Sequence, residues 1–477
     1  MAIITGDRHS RVLFPPSLEE LVGRNDPVRV YDAFVNTLDM KALDLCVSEK
    51  EVGAPCYDPV SMLKLLVYGY SYGFRSSRKL ERACHHNISF IWLLGGLKPD
   101  HKTISEFRRR YRTQLRDVLR QCARLCMKFG MIEGNTLFLD GSLMRANASV
   151  EKFWTKEKCE EYLRKVDKNI NILLDECESQ DKAEAGDFSL VKLKEELNSQ
   201  EALRDKVTSI LSEIEEKDLK RLNSTDGECV IVRGRQGTHA GYNAQLVTDD
   251  KNGLIVSSDA LSRSNDTSQF SNQIIQAEEV LEKECETACS DSGYSQLADL
   301  SQIVERGTNV IVPNQKQAGK KDVGDFDKSK FKYDSDKDEY ICPTGHRLTF
   351  WQISRKKGTR EYKMKPCSLC LNCRHYGVCT TAKRGRTITR LSAEKEALQL
   401  SLSVKYAGEE GQAVYKRRKT RAELPFGYIK RVVGSGYFLL RGREGANAEL
   451  ALLSNGFNLK RMMNLIGISS LLGILGA

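Results

Sequence analysis

From about residue 135 onward, short apolar runs of strand composition alternate with stretches of helical spacing, and this alternation limits the fold more than any other feature. The runs are Thr136-Leu137-Phe138-Leu139, GYNAQLVTDD (241 to 250), GLIVSSDAL (253 to 261), TAC just before Ser290-Asp291, and NVIVPN (309 to 314). Between the first two lies a charged stretch, 150 to about 222. Its second half carries Leu190, Leu193, Leu197, Leu203, Val207, Ile210 and Ile214 at three-to-four spacing, so a helical hairpin inserted between strands is expected. NDTSQFSNQIIQAEEVLEKE (265 to 284) predicts a helix capped near Asn265 or Asp266, and a further helix is expected from about 295 to 306. Strands interleaved with helices predict an α/β fold, a mixed sheet covered by helices.

The first 130 residues have no such alternation. Asp58-Pro59 is a helix start, an acidic cap followed by proline in the first turn, and Met62, Leu65, Leu66 and Gly69 follow at helical spacing. Further helices are expected from Ser76, through the apolar run around Trp92, and from Asp100. The last of these carries Arg108, Arg109, Arg110, Arg112, Arg116 and Arg120. Short helices joined by tight turns, the later one rich in arginine, fit a helix-turn-helix type DNA reader. The chain as a whole carries +10 at neutral pH, which suits an anionic partner. MAIITGDRHSRVLFPP has no charged-then-apolar secretion pattern, so a reducing cytoplasm is expected. The apolar C-terminal NLIGISSLLGILGA is too short to span a bilayer and is read as a packing helix or tail.

Two acids stand out. Asp140 and Asp291 each follow an apolar run and precede a glycine, read as strand ends turning at one edge of the sheet. Such a pair is costly unless a cation neutralises it, and hard oxygen ligands suit Mg²⁺ or Mn²⁺. The candidate third ligand is Glu423, the one acid between 415 and 431 among Lys416, Arg417, Arg418, Lys419, Arg421, Lys430 and Arg431. Pro425 predicts that Glu423 lies at a helix start or kink.

Five of the fifteen cysteines fall between 342 and 379: Cys342, Cys367, Cys370, Cys373 and Cys379. Their Cys-x-x-Cys spacing is that of a tetrahedral Zn²⁺ site, with His346 and His375 as further candidate ligands. Arg355, Lys356, Lys357, Arg360, Lys363 and Lys365 around them suggest DNA contact. Residues 315 to about 335 are read as a polar linker, and His85-His86 as helix surface or core.

Several stretches occur in one order: YDPVSMLKLLVYGYSYGFRSSRKLE, WLLGGLKPDHKTISEFRRRY, LFLDGSLMRANAS, GYNAQLVTD, DSGY and AELPFGYIKR. Together they resemble the DDE transposases of bacterial insertion sequences, the branch with an InsH-like N-terminal domain and an RNase H-like catalytic core. The resemblance implies that Asp140, Asp291 and Glu423 are the Asp-Asp-Glu metal ligands, with Lys430 beside them. It puts Tyr415, Arg418, Glu423 and Lys430 on the family's Tyr-Arg-Glu-Lys signature. The usual spacing leaves three residues between Arg and Glu; Arg418 leaves four, and Lys419 has the spacing but not the residue. It favours Cys342, Cys370, Cys373 and Cys379 as the zinc set, with Cys367 spare.

The implied activity is metal-dependent cleavage at the element's terminal inverted repeats and joining of the 3′-hydroxyl to target DNA, by a homodimer on paired ends with no membrane role. A metal-dependent nuclease on the same core and an inactive DNA-binding copy are the alternatives. Lys430, Tyr415, Arg418, Lys419, Arg431 and Arg108, Arg109, Arg110 and Arg112 are the expected DNA contacts. The domains expected are 1–130, helical and DNA-binding; 131–314, the first part of the core, with the helical insertion 150–222; 315–405, the Cys-rich insertion; and 406–477, the rest of the core with the Glu helix.

Overall fold

Six helices come first in the computed structural model: α1 (Pro27–Asn36), α2 (Pro59–Ser71), α3 (Ser77–His86), α4 (Ile88–Leu93), α5 (His101–Arg110) and α6 (Arg112–Lys128). The structure describes residues 16–45, 56–182, 187–234, 237–319, 324–354 and 359–476. The Asp58 carboxylate caps α2, accepting from the Val60 and Ser61 backbone N–H groups at 3.2 and 2.9 Å, and Asp100 caps α5 through Thr103 at 2.7 Å. The arginine-rich stretch is two helices, broken at Tyr111, where one helix was expected. His85 and His86 are exposed in the last turn of α3.

The alternating part follows: β1 (Thr136–Arg145), β2 (Phe153–Trp154), α7 (Lys156–Lys182), α8 (Asp187–Glu216), β3 (Leu222–Asn223), β4 (Val230–Gly234), β5 (Gly237–Asp249), β6 (Ile255–Leu261), α9 (Phe270–Leu281), β7 (Thr287–Cys289), α10 (Leu297–Val304) and β8 (Asn309–Ile311). The fold is mixed α/β. β5 pairs antiparallel with β4 and β6, while β1, β7 and β8 pair in parallel. α7 and α8 pack together as the expected hairpin, around Cys159, Val207, Ile210, Ile214 and Leu222.

The remaining elements are α11 (Gln315–Gly319), β9 (Lys332–Asp334), β10 (Glu339–Ile341), β11 (Arg347–Ile353), β12 (Arg360–Met364), α12 (Ser368–Leu371), β13 (Thr387–Arg390), α13 (Ala393–Ala407), α14 (Glu409–Arg421), α15 (Glu423–Gly427), α16 (Arg443–Ile466) and α17 (Ile468–Leu475). α11 and β9 thus stand in the stretch expected as linker.

The chain divides into two compact units. The first comprises described residues within Met1–Glu133, Gly141–Asn265 and Ala422–Ala477. Its centre is α16, buried along most of its length and packed on α2, α6 and β6. Gly456 is required at the α2 crossing, because an added Cβ would lie 2.5 Å from Ser71 Oγ and 2.9 Å from Ser71 Cα. β6 pairs with β5, and asparagines of α16 take three of its other backbone groups. Asn458 accepts from the Ile255 N–H and donates to its carbonyl, both at 2.8 Å, and Asn447 accepts from the Ala260 N–H at 2.6 Å. These bonds satisfy strand groups that would otherwise be buried unpaired. α17, the apolar C-terminal stretch, packs on α1 and α16.

The second unit comprises Gly134–Asp140 and described residues within Asp266–Arg421. It holds the first half of β1 with β7 and β8, flanked by α9, α10, α13 and α14, together with an antiparallel sheet of order β13-β12-β11-β10-β9. Phe331, Tyr340, Leu348, Tyr362, Met364, Cys370 and Ile388 form the core of that small sheet. The expected α9 cap at Asn265 or Asp266 is corrected. Asp299 of α10 does the capping, accepting from the Phe270 and Ser271 N–H groups at 2.8 and 3.1 Å.

Candidate active site

Asp140 is not at a strand end as expected. β1 runs on through Gly141 to Arg145, so the acid sits mid-strand, with no turn after it. The physical reason is pairing on both halves: the first half of β1 lies beside β7, and beyond it Ala146 N–H donates to the Ala240 carbonyl of β5 at 2.9 Å. β7 ends at Cys289, two residues before Asp291, whose Oδ1 accepts from the Gly293 N–H at 2.8 Å and caps a short 3₁₀ turn.

The two acids follow strands that pair in register. Thr136, Leu137 and Phe138 of β1 are level with Thr287, Ala288 and Cys289 of β7. Two residues beyond the last paired positions stand Asp140, still within β1, and Asp291, past the end of β7. Arg418 of α14 sets a cation on Asp140: its Nη1 donates to Asp140 Oδ1 at 3.2 Å, with both side chains nearly buried. α14 packs on β7 and β8 and also delivers Tyr415. Burial pushes the Tyr415 hydroxyl above the usual phenol range, the Asp291 charge adds to this, and Arg418 opposes it. Lys419, the residue at the family spacing, points to solvent. Asp266 also lies close by: it accepts from the Tyr294 hydroxyl at 3.3 Å, and an added Cβ at Gly293 would lie 3.3 Å from its Oδ2 and 2.9 Å from Asp291 Oδ1. Sequence reasoning gave Asp266 only a capping role.

Glu423 is in the first unit, as the opening residue of α15, with Pro425 in that helix's first turn. The chain then forms a single π turn, Tyr428–Val432, a local irregularity common at functional sites. It carries Lys430, whose ammonium donates to Ser142 Oγ at 2.6 Å and to the Leu143 carbonyl at 2.9 Å. Ser142 is a functional candidate that nothing in the sequence marked. Arg431 is exposed.

Of the expected DNA contacts on α5 and α6, Arg108 is corrected. It is 5% exposed, and its Nη1 donates to the Tyr70 hydroxyl at 3.0 Å and the Arg75 carbonyl at 2.7 Å, so it ties helices together inside the first unit. The signal was available: Ile104, Phe107, Arg108 and Tyr111 recur on one helical face. Arg109 is exposed and paired with Glu106 at 2.6 Å, Arg112 pairs with Glu444 at 2.5 Å, and Arg110 is exposed over the Tyr111 ring.

Cys342, Cys370, Cys373 and Cys379 line one small cavity of about 30 Å³, with His346 and His375; Cys367 is exposed and outside it. The His346 N–H donates to Cys342 Sγ at 3.3 Å and the Arg386 N–H to Cys370 Sγ at 3.4 Å. Burial pushes the Cys379 thiol up, and the neighbouring thiols add to this while Arg386 opposes it. Among the described residues, no three His, Cys, Asp or Glu side chains converge closely enough to hold a metal ion. Arg355, Lys356 and Lys357 lie outside the described residues. No helix among the described residues is long and apolar enough to cross a membrane.

Comparison with known families gives the class. Residues 16–110 match a family described as Transposase domain (DUF772), and residues 341–463 match one described as Transposase DDE domain. These are domains of DNA-transposing proteins. Within that class, the two matches in this order support an insertion-sequence DDE transposase. No curated protein and no solved structure matches it.

Proposed function

We propose that this transposase cleaves the ends of its own insertion sequence and joins the freed 3′-hydroxyl to target DNA by metal-dependent phosphoryl transfer. The reading is supported by Asp140 and Asp291 each following, by two residues, a paired position of two adjacent parallel strands, with Arg418 on Asp140. The donor set fits a hard divalent cation, since both groups offer carboxylate oxygens. Asp140, Asp291 and, by its place in the family signature, Glu423 would hold it. A bound pair of Mg²⁺ or Mn²⁺ ions supplies Lewis acidity to the attacking and leaving oxygens of an in-line displacement.

The chain's own residues do the rest. Arg418 keeps one Asp140 oxygen oriented and offsets its negative charge. Lys430, anchored on Ser142, brings positive charge to the DNA backbone, and Lys419 and Arg431 are exposed to bind phosphates. Exposed Arg110 and the surface-paired Arg109 and Arg112 serve DNA binding by the N-terminal helices. Displacement at phosphorus proceeds without a covalent protein–DNA intermediate. The mixed sheet is read as an RNase H-like core acting as a homodimer on paired ends, in the cytoplasm on the nucleoid. The four thiols around one cavity would hold a structural Zn²⁺ that ties the base of the small sheet.

The test uses labelled DNA bearing the element's ends, with and without Mg²⁺, and scores nicking and joining separately for wild type, Asp140→Asn, Asp291→Asn and Glu423→Gln. Metal-dependent joining that all three substitutions abolish while DNA binding persists is expected. Cleavage without joining would reassign the protein as a nuclease, and binding with no chemistry in wild type would make it an inactive copy.

A further inference from the structure

In the first unit, where β1 ends, the chain opens into a wide groove of about 560 Å³. Arg145, Lys152 and Arg441 line it, with Asn147, Ser149 and Tyr437, and no carboxylate is among the described residues that line it. We propose that this groove binds the sugar-phosphate backbone of a DNA strand, through Arg145, Lys152 and Arg441 and without reading bases. The inference rests on the DNA-processing function above and assigns a further binding site to it.

The groove is built rather than incidental. The Phe438 N–H donates to the Arg145 carbonyl at 2.8 Å and the Arg145 N–H to the Gly436 carbonyl at 3.3 Å, which locks the strand end to the opposite wall. Asn147 Nδ2 donates to the Leu439 carbonyl at 2.8 Å, and Arg441 Nε donates to the Asn147 carbonyl at 3.3 Å, so one of the cations is held in place by the wall it faces. Behind the wall, Arg75 stacks on the Tyr437 ring at 4.7 Å and donates to the Tyr437 carbonyl at 2.7 Å. Ordering two walls in advance reduces the entropy lost on binding.

The chemistry selects the ligand. Three long cations spread along an open trough suit a linear polyanion better than a single small anion, which needs convergent donors. The polar residues between them, Asn147 and Ser149, are of the kind that contact phosphate and sugar. Position agrees: Arg145 is three residues beyond Ser142, the anchor of Lys430, or about 10 Å along an extended strand. That is about three nucleotide steps of one DNA strand.

The experiment measures binding of the full-length protein to an element-end duplex and to an unrelated duplex of equal length, across a range of salt concentrations. Removing one side-chain cation from its phosphate should make the log–log salt slope shallower by about 0.9 and weaken binding about eight-fold at 0.1 M salt. We expect this for Lys152→Ala and for Arg441→Ala, equally on both duplexes, whereas Arg441→Lys should keep the wild-type slope. Lys165→Ala removes a lysine paired with Glu161 on α7, outside the groove, and should change nothing. Unchanged slopes in Lys152→Ala and Arg441→Ala would overturn the proposal while leaving the transposase reading intact. So would competition by millimolar inorganic phosphate that affects wild type but not Arg441→Ala, because the groove would then be a single-anion pocket. A wild-type protein that bound neither duplex would instead defeat the functional reading itself.

Discussion

Replacing Arg75 by methionine should destabilise the first unit strongly at neutral pH and less in acid. Arg75 Nη1 meets Glu449 Oε1 at 2.9 Å, and the two side chains are 5% and 0% exposed. Burial raises the Glu449 carboxyl above the ordinary glutamate range, and the Arg75 charge is the largest influence opposing it. The Leu439 and Leu440 N–H groups, at 2.7 and 3.1 Å, also hold the charged form but do not supply a counter-ion. Removing one member of a buried pair leaves an uncompensated charge, which costs about 3–5 kcal/mol. A carboxyl whose folded value is raised contributes stability that is complete below its unfolded value, near 4.5, and is lost as pH rises through the folded value. Without Arg75 the folded value rises further, so the deficit should be largest at pH 7 and shrink towards pH 5. Hydrogen exchange of the α16 amides reads this without assuming two-state unfolding of a chain with two units. The loss corresponds to a fall in protection of roughly two to three and a half orders of magnitude. A fall below ten-fold at pH 7, or the same fall at both pH values, would refute the reasoning.

Other perturbations test other levels of the structure. Gly456→Ala should cost about 1–3 kcal/mol by forcing α16 off α2, read as a lower urea midpoint; an unchanged midpoint would mean that the helices have room to separate. Asp299→Ala removes the cap of α9 and should cost about 0.5–2 kcal/mol, seen as faster exchange at the N–H groups of Phe270 and Ser271. Lys430→Met should lower strand joining by on the order of 10²-fold with DNA affinity largely kept, and equal losses in affinity and rate would show that the lysine only binds. Cys373→Ser should abolish Zn²⁺ co-purification while Cys367→Ser should not; equal zinc content in the two proteins would remove the proposed site.

Periodicity revealed the elements but not what they do to one another. The run Thr136 to Leu139 reads plainly as a strand, yet Asp140-Gly141 reads as its end, because neither residue favours strands on its own. Pairing of the second half of β1 overrides that preference. The cap of α9 could not be read, because Asp299 acts from 29 residues beyond Phe270 and leaves no local signal. The small antiparallel sheet could have been found: Leu348 on β11 and Tyr362 and Met364 on β12 alternate with polar or exposed neighbours, but the cysteines drew attention away from that period. Arg108 shows the converse error, a charge assigned to the surface by type although its helical position was on the buried stripe.

The candidate site was legible for a different reason from the fold. Asp140 and Asp291 are separated by the α7–α8 hairpin, the strands β2 to β6 and α9, yet each stands two residues beyond one of the paired positions Phe138 and Cys289, a relation that no local pattern sets. Register has a period of two, so a slip of one residue would turn one acid to the opposite face. The intervening chain is much less constrained, because lengthening a connection costs only logarithmically in closure entropy. That asymmetry explains how the α7–α8 hairpin and the five-stranded sheet stand between catalytic candidates without disturbing them. It also explains why the acids could be named from sequence while Ser142, Asp266 and the basic groove could not. The acids stand at marked ends of apolar runs, but the others matter only through what the folded chain places beside them.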